Sequence, residues 1–130
     1  MKSTTARTKS LFERLGYRIG LVEKWIPQTK RRLDLFGFAD LIAFHPDKPE
    51  VVLIQSTSGT NHSHRREKIL ALDRAREWVQ FETRCIAIVS FSRRVVRNKD
   101  GKKSKVKRWK ERIEFITERD FAEKKSVIPF

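Results

Sequence analysis

One carboxylate in this sequence sits where a carboxylate is expensive to bury. Asp40 lies inside Phe36-Gly37-Phe38-Ala39-Asp40-Leu41-Ile42-Ala43-Phe44. A lone ionised acid in so apolar a segment is unfavourable unless a cation or hydrogen-bond donors accompany it. Gln55 closes a second apolar run, Val51-Val52-Leu53-Ile54-Gln55. If 40–44 and 51–55 pair as neighbouring strands through the proline turn between them, Asp40 and Gln55 fall at the same end. An oxygen from each, with water and a DNA phosphate, suits a hard cation such as Mg²⁺. The structural alternatives are an Asp40 bonded to backbone groups at a bulge near Gly37 and a Gln55 that merely ends its strand in solvent.

The segment Asn61-His62-Ser63-His64-Arg65-Arg66 adds two imidazoles. Either His62 or His64 could act as a general base or phosphate contact near neutral pH. A zinc site would need a third ligand, and the single cysteine, Cys85, lies within an apolar run. The plainer reading is a polar loop that caps a helix. No P-loop, nucleophile elbow or glycine fingerprint occurs.

The elements that must position these groups follow from periodicity. Residues 3–15 carry Leu11, Phe12 and Leu15 at helical spacing, and Gly16 suits the helix end. Residues 17–23 alternate as a strand, and 26–34 form a basic loop containing Lys30, Arg31 and Arg32. Residues 35–44 and 51–55 read as two strands joined by His45-Pro46-Asp47-Lys48-Pro49. Residues 64–80 hold Ile69, Leu72, Ala75, Trp78 and Val79 on one helical stripe, and 85–91 is a buried strand. A helical crossover of that length makes strands 51–55 and 85–91 parallel. The tail from Arg93 to Arg112 reads as a basic hairpin turning at Asn98–Gly101, followed by a strand at 112–117 and a short helix at 120–124. The expectation is an α/β fold: a mixed central sheet flanked by helices, with a basic C-terminal β-hairpin.

This order, with Gly-Phe-Ala-Asp-Leu-Ile-Ala on one strand and Val-Val-Leu-Ile-Gln-Ser-Thr on the next, resembles the PD-(D/E)XK nuclease superfamily over about residues 5–91. Within it the chain looks most like the Holliday-junction resolvase and restriction-endonuclease-like branch. The resemblance implies an αβββαβ core and Mg²⁺- or Mn²⁺-dependent cleavage of DNA, with branched or recombination intermediates as a substrate class. It places Asp40 at the metal-binding acid and Gln55 at the second-motif acid or glutamine. The motif lysine falls at Thr57, so the basic group is expected on the following helix, with Lys68 the nearest substitute. Asp34 or Glu13 would then supply the charge that Gln55 lacks. The resemblance also implies a homodimer. A second reading keeps the fold without the chemistry, as an accessory DNA-binding subunit.

Composition agrees with a polyanionic partner. The chain of 130 residues carries 30 Lys and Arg against 16 Asp and Glu, a net charge of +14. That imbalance destabilises a compact state through self-repulsion unless a polyanion offsets it. Nine Phe and three Trp argue for a packed core rather than a disordered polycation. The length fits one domain, 1–130, with the hairpin and last strand from about residue 92. Arg93, Arg94, Arg97, Lys102, Lys103, Lys105, Lys107 and Arg108 are the expected phosphate contacts, joined by Arg65 and Arg66. An RNA-binding protein of ribosomal type would explain the charge but not Asp40. No apolar run approaches the ~20 residues of a spanning helix, and the polar N-terminus lacks a secretory h-region. The expectation is a cytoplasmic protein.

Overall fold

The computed structural model describes residues 3–97, 99 and 101–126; side chains at 94–97, 103–107 and 123–126 are left out of the description. Its elements in chain order are α1 (Thr4–Arg14), β1 (Arg18–Leu21), β2 (Lys24–Ile26), β3 (Arg31–Leu33), β4 (Leu41–Phe44), β5 (Val51–Ser58), α2 (His62–Leu70), α3 (Asp73–Trp78), β6 (Arg84–Arg97), β7 (Lys103–Ile116) and α4 (Glu118–Ser126). Five strands form one mixed sheet in the order β1-β4-β5-β6-β7, while β2 and β3 make a separate two-stranded ribbon. Only β5 and β6 pair in parallel; the other neighbours in the large sheet are antiparallel. The protein is thus α/β, with a mixed sheet between helices.

Side-chain alternation sorts the two faces. Val52 and Ile54 of β5 pack with Phe12 of α1, together with Leu41, Ala43, Ala87 and Val89. Leu53 lies on the opposite face with Ile69 of α2, Ala75 of α3 and Phe121 of α4, alongside Ile86, Ile88 and Ile116. One helix therefore covers one face and three cover the other. The near-continuous apolar runs of β5 and β6 follow from this double coverage. Helix α1 starts on a Ser3 cap, whose hydroxyl accepts from the Ala6 N–H at 3.1 Å.

Four sequence expectations change. The segment 35–44 is not one strand: Phe36 and Gly37 adopt φ of 56° and 85°, and only Leu41–Phe44 remains extended. The segment 64–80 breaks at Ala71 and Leu72 into α2 and α3, because Leu72 is extended (ψ 125°). Part of the basic loop 26–34 is strand, since β2 and β3 pair from Lys24↔Leu33 to Ile26↔Arg31. Strand 85–91 and the first basic arm are one continuous strand, β6, and the second arm and strand 112–117 are likewise one, β7. Asn98 and Asp100 of the expected turn lie outside the described residues. Among the described residues, no helix is long and apolar enough to cross a membrane.

Candidate metal centre

Asp40 immediately precedes β4, and backbone bonds hold it from both sides. Its N–H donates to the Ile54 carbonyl at 2.8 Å, and its carbonyl accepts from Val22 at 2.9 Å and Glu23 at 3.3 Å. The second pair of bonds brings Glu23, just beyond β1, beside Asp40. A tight loop brings the other acid. Leu35 and Ala39 exchange both backbone hydrogen bonds at 2.9 Å, closing a small hairpin over Phe36–Phe38. The next pair outward across that bridge is Asp34 and Asp40. The turn needs the left-handed conformation at Gly37, which glycine adopts without penalty.

Glu23, Asp34 and Asp40 each present a carboxylate oxygen within 4.8 Å of the others. Asp40 is only 5% exposed, and Glu23 and Asp34 are half-buried. Gln55 lies beside Asp40: its Nε2 donates to Asp40 Oδ2 at 3.0 Å, and the Ser56 N–H donates to the same oxygen at 2.9 Å. These bonds fix the carboxylate orientation. Ser56 and Ile54 point to the α1 face, as the Thr8–Ser56 hydroxyl contact of 3.0 Å shows, so Gln55 and Asp40 occupy the α2 face.

Burial, the largest cause, together with the neighbouring Asp34 and Glu23 pushes the Asp40 carboxyl up to about 7, against the lowering effect of the Ser56 N–H. A hydrogen bond shared with Asp34 is part of that rise. Arg32 on β3 supplies a counter-charge, 3.5 Å from Glu23 Oε1 and itself 65% exposed. The donor set fits a hard divalent cation. All the ligands are oxygens, and oxygens at about 2.0–2.6 Å from one ion lie no more than about 5 Å apart.

The remaining candidate residues disperse. Glu13 is exposed on α1 and pairs with Lys9 at 3.5 Å, because Thr8 and Phe12 take the sheet-facing side of that helix. Thr57 is buried on β5, paired in register with Ser90. Lys68 and His64 are exposed on α2, whereas Arg65 is half-buried, with an Nε that has no hydrogen-bond partner. His62 is structural. It is 1% exposed, with Nδ1 2.6 Å from Ser90 Oγ and Nε2 2.8 Å from Glu114 Oε1. Arg66 is also engaged, to Glu114 at 2.8 Å and Asp120 at 2.9 Å. Burial alone would push the Glu114 carboxyl up, but His62 and Arg66 hold it below its ordinary value. Neither His62 nor Arg66 is therefore placed as a free phosphate contact. Lys30, Arg31, Arg32, Arg93, Lys102 and Arg108 are exposed. The side chains of Arg94, Arg97, Lys103, Lys105 and Lys107 lie outside the described residues.

Sequence reasoning missed Glu23. Its signal is a register argument: Leu21 pairs with Leu41, so the residues after Leu21 run alongside Asp40. Comparison with protein-family models, curated proteins and solved structures gave no match for this chain.

Proposed function

We propose that this protein is a metal-dependent endonuclease that hydrolyses DNA phosphodiesters, on a fold resembling the restriction-endonuclease core. The observation that carries the reading is the convergence of Glu23, Asp34 and Asp40, half-buried to buried, in a chain of net charge +14. The order α1, β1, β4, β5, α2, β6 supports the resemblance, with the β2–β3 ribbon inserted between the first two strands of an αβββαβ core. The basic hairpin of that proposal is the distal part of β6 and β7.

Asp40, Asp34 and Glu23 would hold Mg²⁺ or Mn²⁺, and Gln55 and Ser56 would keep Asp40 aimed. When bound, the cation supplies Lewis acidity to a phosphate oxygen and lowers the pKa of coordinated water. Positive charge for the phosphate comes from α2, through Lys68 and the half-buried Arg65, in place of the lysine absent at Thr57. The basic strands hold the backbone, which gives affinity rather than sequence choice. Branched DNA and a homodimer belong to the same proposal.

A second reading has one observation in its favour: Thr57 is buried and uncharged where the resemblance puts the lysine. On it, the protein binds DNA as an accessory subunit and cuts nothing. Incubating the full chain with supercoiled plasmid and with synthetic four-way junctions, in Mg²⁺, Mn²⁺ or EDTA, separates the two. The nuclease reading expects metal-dependent nicking that Asp40→Ala abolishes while the fold persists. Cleavage that survives in EDTA or in Asp40→Ala would overturn it. Tight binding without cleavage in any metal favours the accessory role.

A further inference from the structure

A second cationic feature lies on the opposite face of the sheet from the acids. A cleft of about 500 Å³ opens between α1 and the β6–β7 pair, lined by Arg7, Ser10, Arg14, Phe91, Trp109 and Glu111. Helical spacing puts residues 7, 10 and 14 on one stripe of α1. In the sheet, Trp109 is cross-strand from Arg93, and Glu111 from Phe91. Phe91 belongs to the core cluster that packs on α1, so alternation sends Trp109 and Arg93 to that same face.

Trp109 organises the charge. The Arg7 guanidinium carbon lies 4.3 Å from the indole centroid and that of Arg93 5.4 Å. A guanidinium stacked on an aromatic face is held in position while its N–H donors, which lie in its own plane, remain available to an anion. An acid partner would hold it equally well but neutralise it. Among the described residues, neither Arg7, Arg14 nor Arg93 forms an ion pair. Arg7 Nε is buried with no hydrogen-bond partner. Glu111 is the one acid in the cleft lining.

We propose that this cleft binds the backbone phosphates of a single nucleic-acid strand, with Arg7, Arg14 and Arg93 as the anion contacts and Trp109 as the platform that positions two of them. Charge complementarity selects the occupant: Arg7 and Arg14 line the cleft and Arg93 adjoins it on the Trp109 ring, against the single carboxylate of Glu111. The spacing of successive backbone phosphates lets one strand meet more than one of these cations. The site is independent of the acid cluster, so it stands whether or not the protein cleaves.

The test measures binding of the full-length protein to a fluorescein-labelled 20-mer of oligothymidylate in EDTA, by anisotropy across a salt series. Inorganic polyphosphate, which has no bases, competes in a parallel titration. Arg7→Gln and Arg14→Gln should each lower the slope of log K against log salt by about 0.7, the value for one contact on a single strand. Arg119→Gln removes the same charge from an exposed position on α4 and should leave the slope unchanged. Trp109→Leu removes no charge, yet should weaken oligothymidylate and polyphosphate alike; Trp109→Phe, which keeps a ring, should weaken both less. Equal effects of Arg119→Gln and the cleft variants would overturn the proposal, because charge anywhere would then suffice. Loss confined to oligothymidylate in both Trp109 variants would overturn the platform role and assign Trp109 to base stacking. Tryptophan variants that melt below assay temperature leave the arginine slopes to decide.

Discussion

Asp34 and Asp40 face one another across the Leu35–Ala39 bridge, so a hairpin of a few residues brings two carboxylates together. Among the described residues neither aspartate forms an ion pair, whereas Glu23 pairs with Arg32. Three adjacent acids with one ion-pair partner among the described residues are an unfavourable arrangement until protons or a cation are added.

The first prediction concerns pH. Burial and the neighbouring acids push the Asp40 carboxyl up to about 7 in the folded protein, against an ordinary value of 3.8. Between those values the native state keeps a proton that the unfolded chain has lost, so stability falls as pH rises through this window. One pKa unit corresponds to about 1.4 kcal/mol. Thermal melts in EDTA should show wild type losing more stability than Asp40→Asn between pH 5 and pH 8. Equal losses would show that Asp40 is not the group responsible.

Metal should reverse that trend. Mn²⁺ added at pH 6 should raise the melting temperature of wild type and release protons, and affinity should rise with pH up to about 7 and then level off. Glu23→Gln and Asp34→Asn should each weaken Mn²⁺ by at least roughly tenfold while leaving the apo protein as stable or more so. Isothermal calorimetry in two buffers of different ionisation enthalpy measures both the affinity and the protons released.

Gly37→Ala tests the loop. The added Cβ would meet Leu72 Cδ1 at 3.7 Å, an ordinary contact, so the cost is conformational, from a φ of 85°. Roughly 1 kcal/mol of stability should be lost. If the turn holds Asp34 against Asp40, Mn²⁺ affinity should fall as well. Unchanged affinity in a destabilised variant would separate the turn from the site.

His62→Ala should be among the most disruptive single changes outside the apolar core. It strands Ser90, takes one of the partners of Glu114 and empties a buried volume, for a loss of about 3 kcal/mol by urea denaturation. Arg66→Ala, half-buried at the same carboxylate, should cost less. A neutral His62→Ala would mean that the network contributes nothing to the fold.

The parts of this fold legible in the sequence were those with strong periodicity. The continuous apolar runs of β5 and β6, separated by helical spacing, identified parallel neighbours on one sheet. The strand pair carrying Asp40 and Gln55 was legible because a proline turn joins two apolar segments. Short-range backbone geometry was not. Phe36 in a left-handed conformation has no compositional mark, and Gly37 alone pointed to an irregularity, a bulge, in 35–44. Glu23 was hidden because its place in the site depends on strand register, which the local pattern does not encode. His62 looked like a loop residue since its partners, Ser90 and Glu114, are distant in sequence.

Strand β5 ends at Ser58, in register with Phe91, while β6 continues to Arg97 and remains paired with β7. Beyond Phe91 the sheet thins to a two-stranded ribbon whose inner margin has no further strand among the described residues. A bare margin of that kind invites strands from other molecules, and dense positive charge is a common deterrent. The density of lysine and arginine in the sequence of this stretch should oppose strand addition along that margin. A polyanion that neutralised them would also lift that repulsion, so DNA at sub-stoichiometric ratios should make the protein more prone to self-association than DNA in excess.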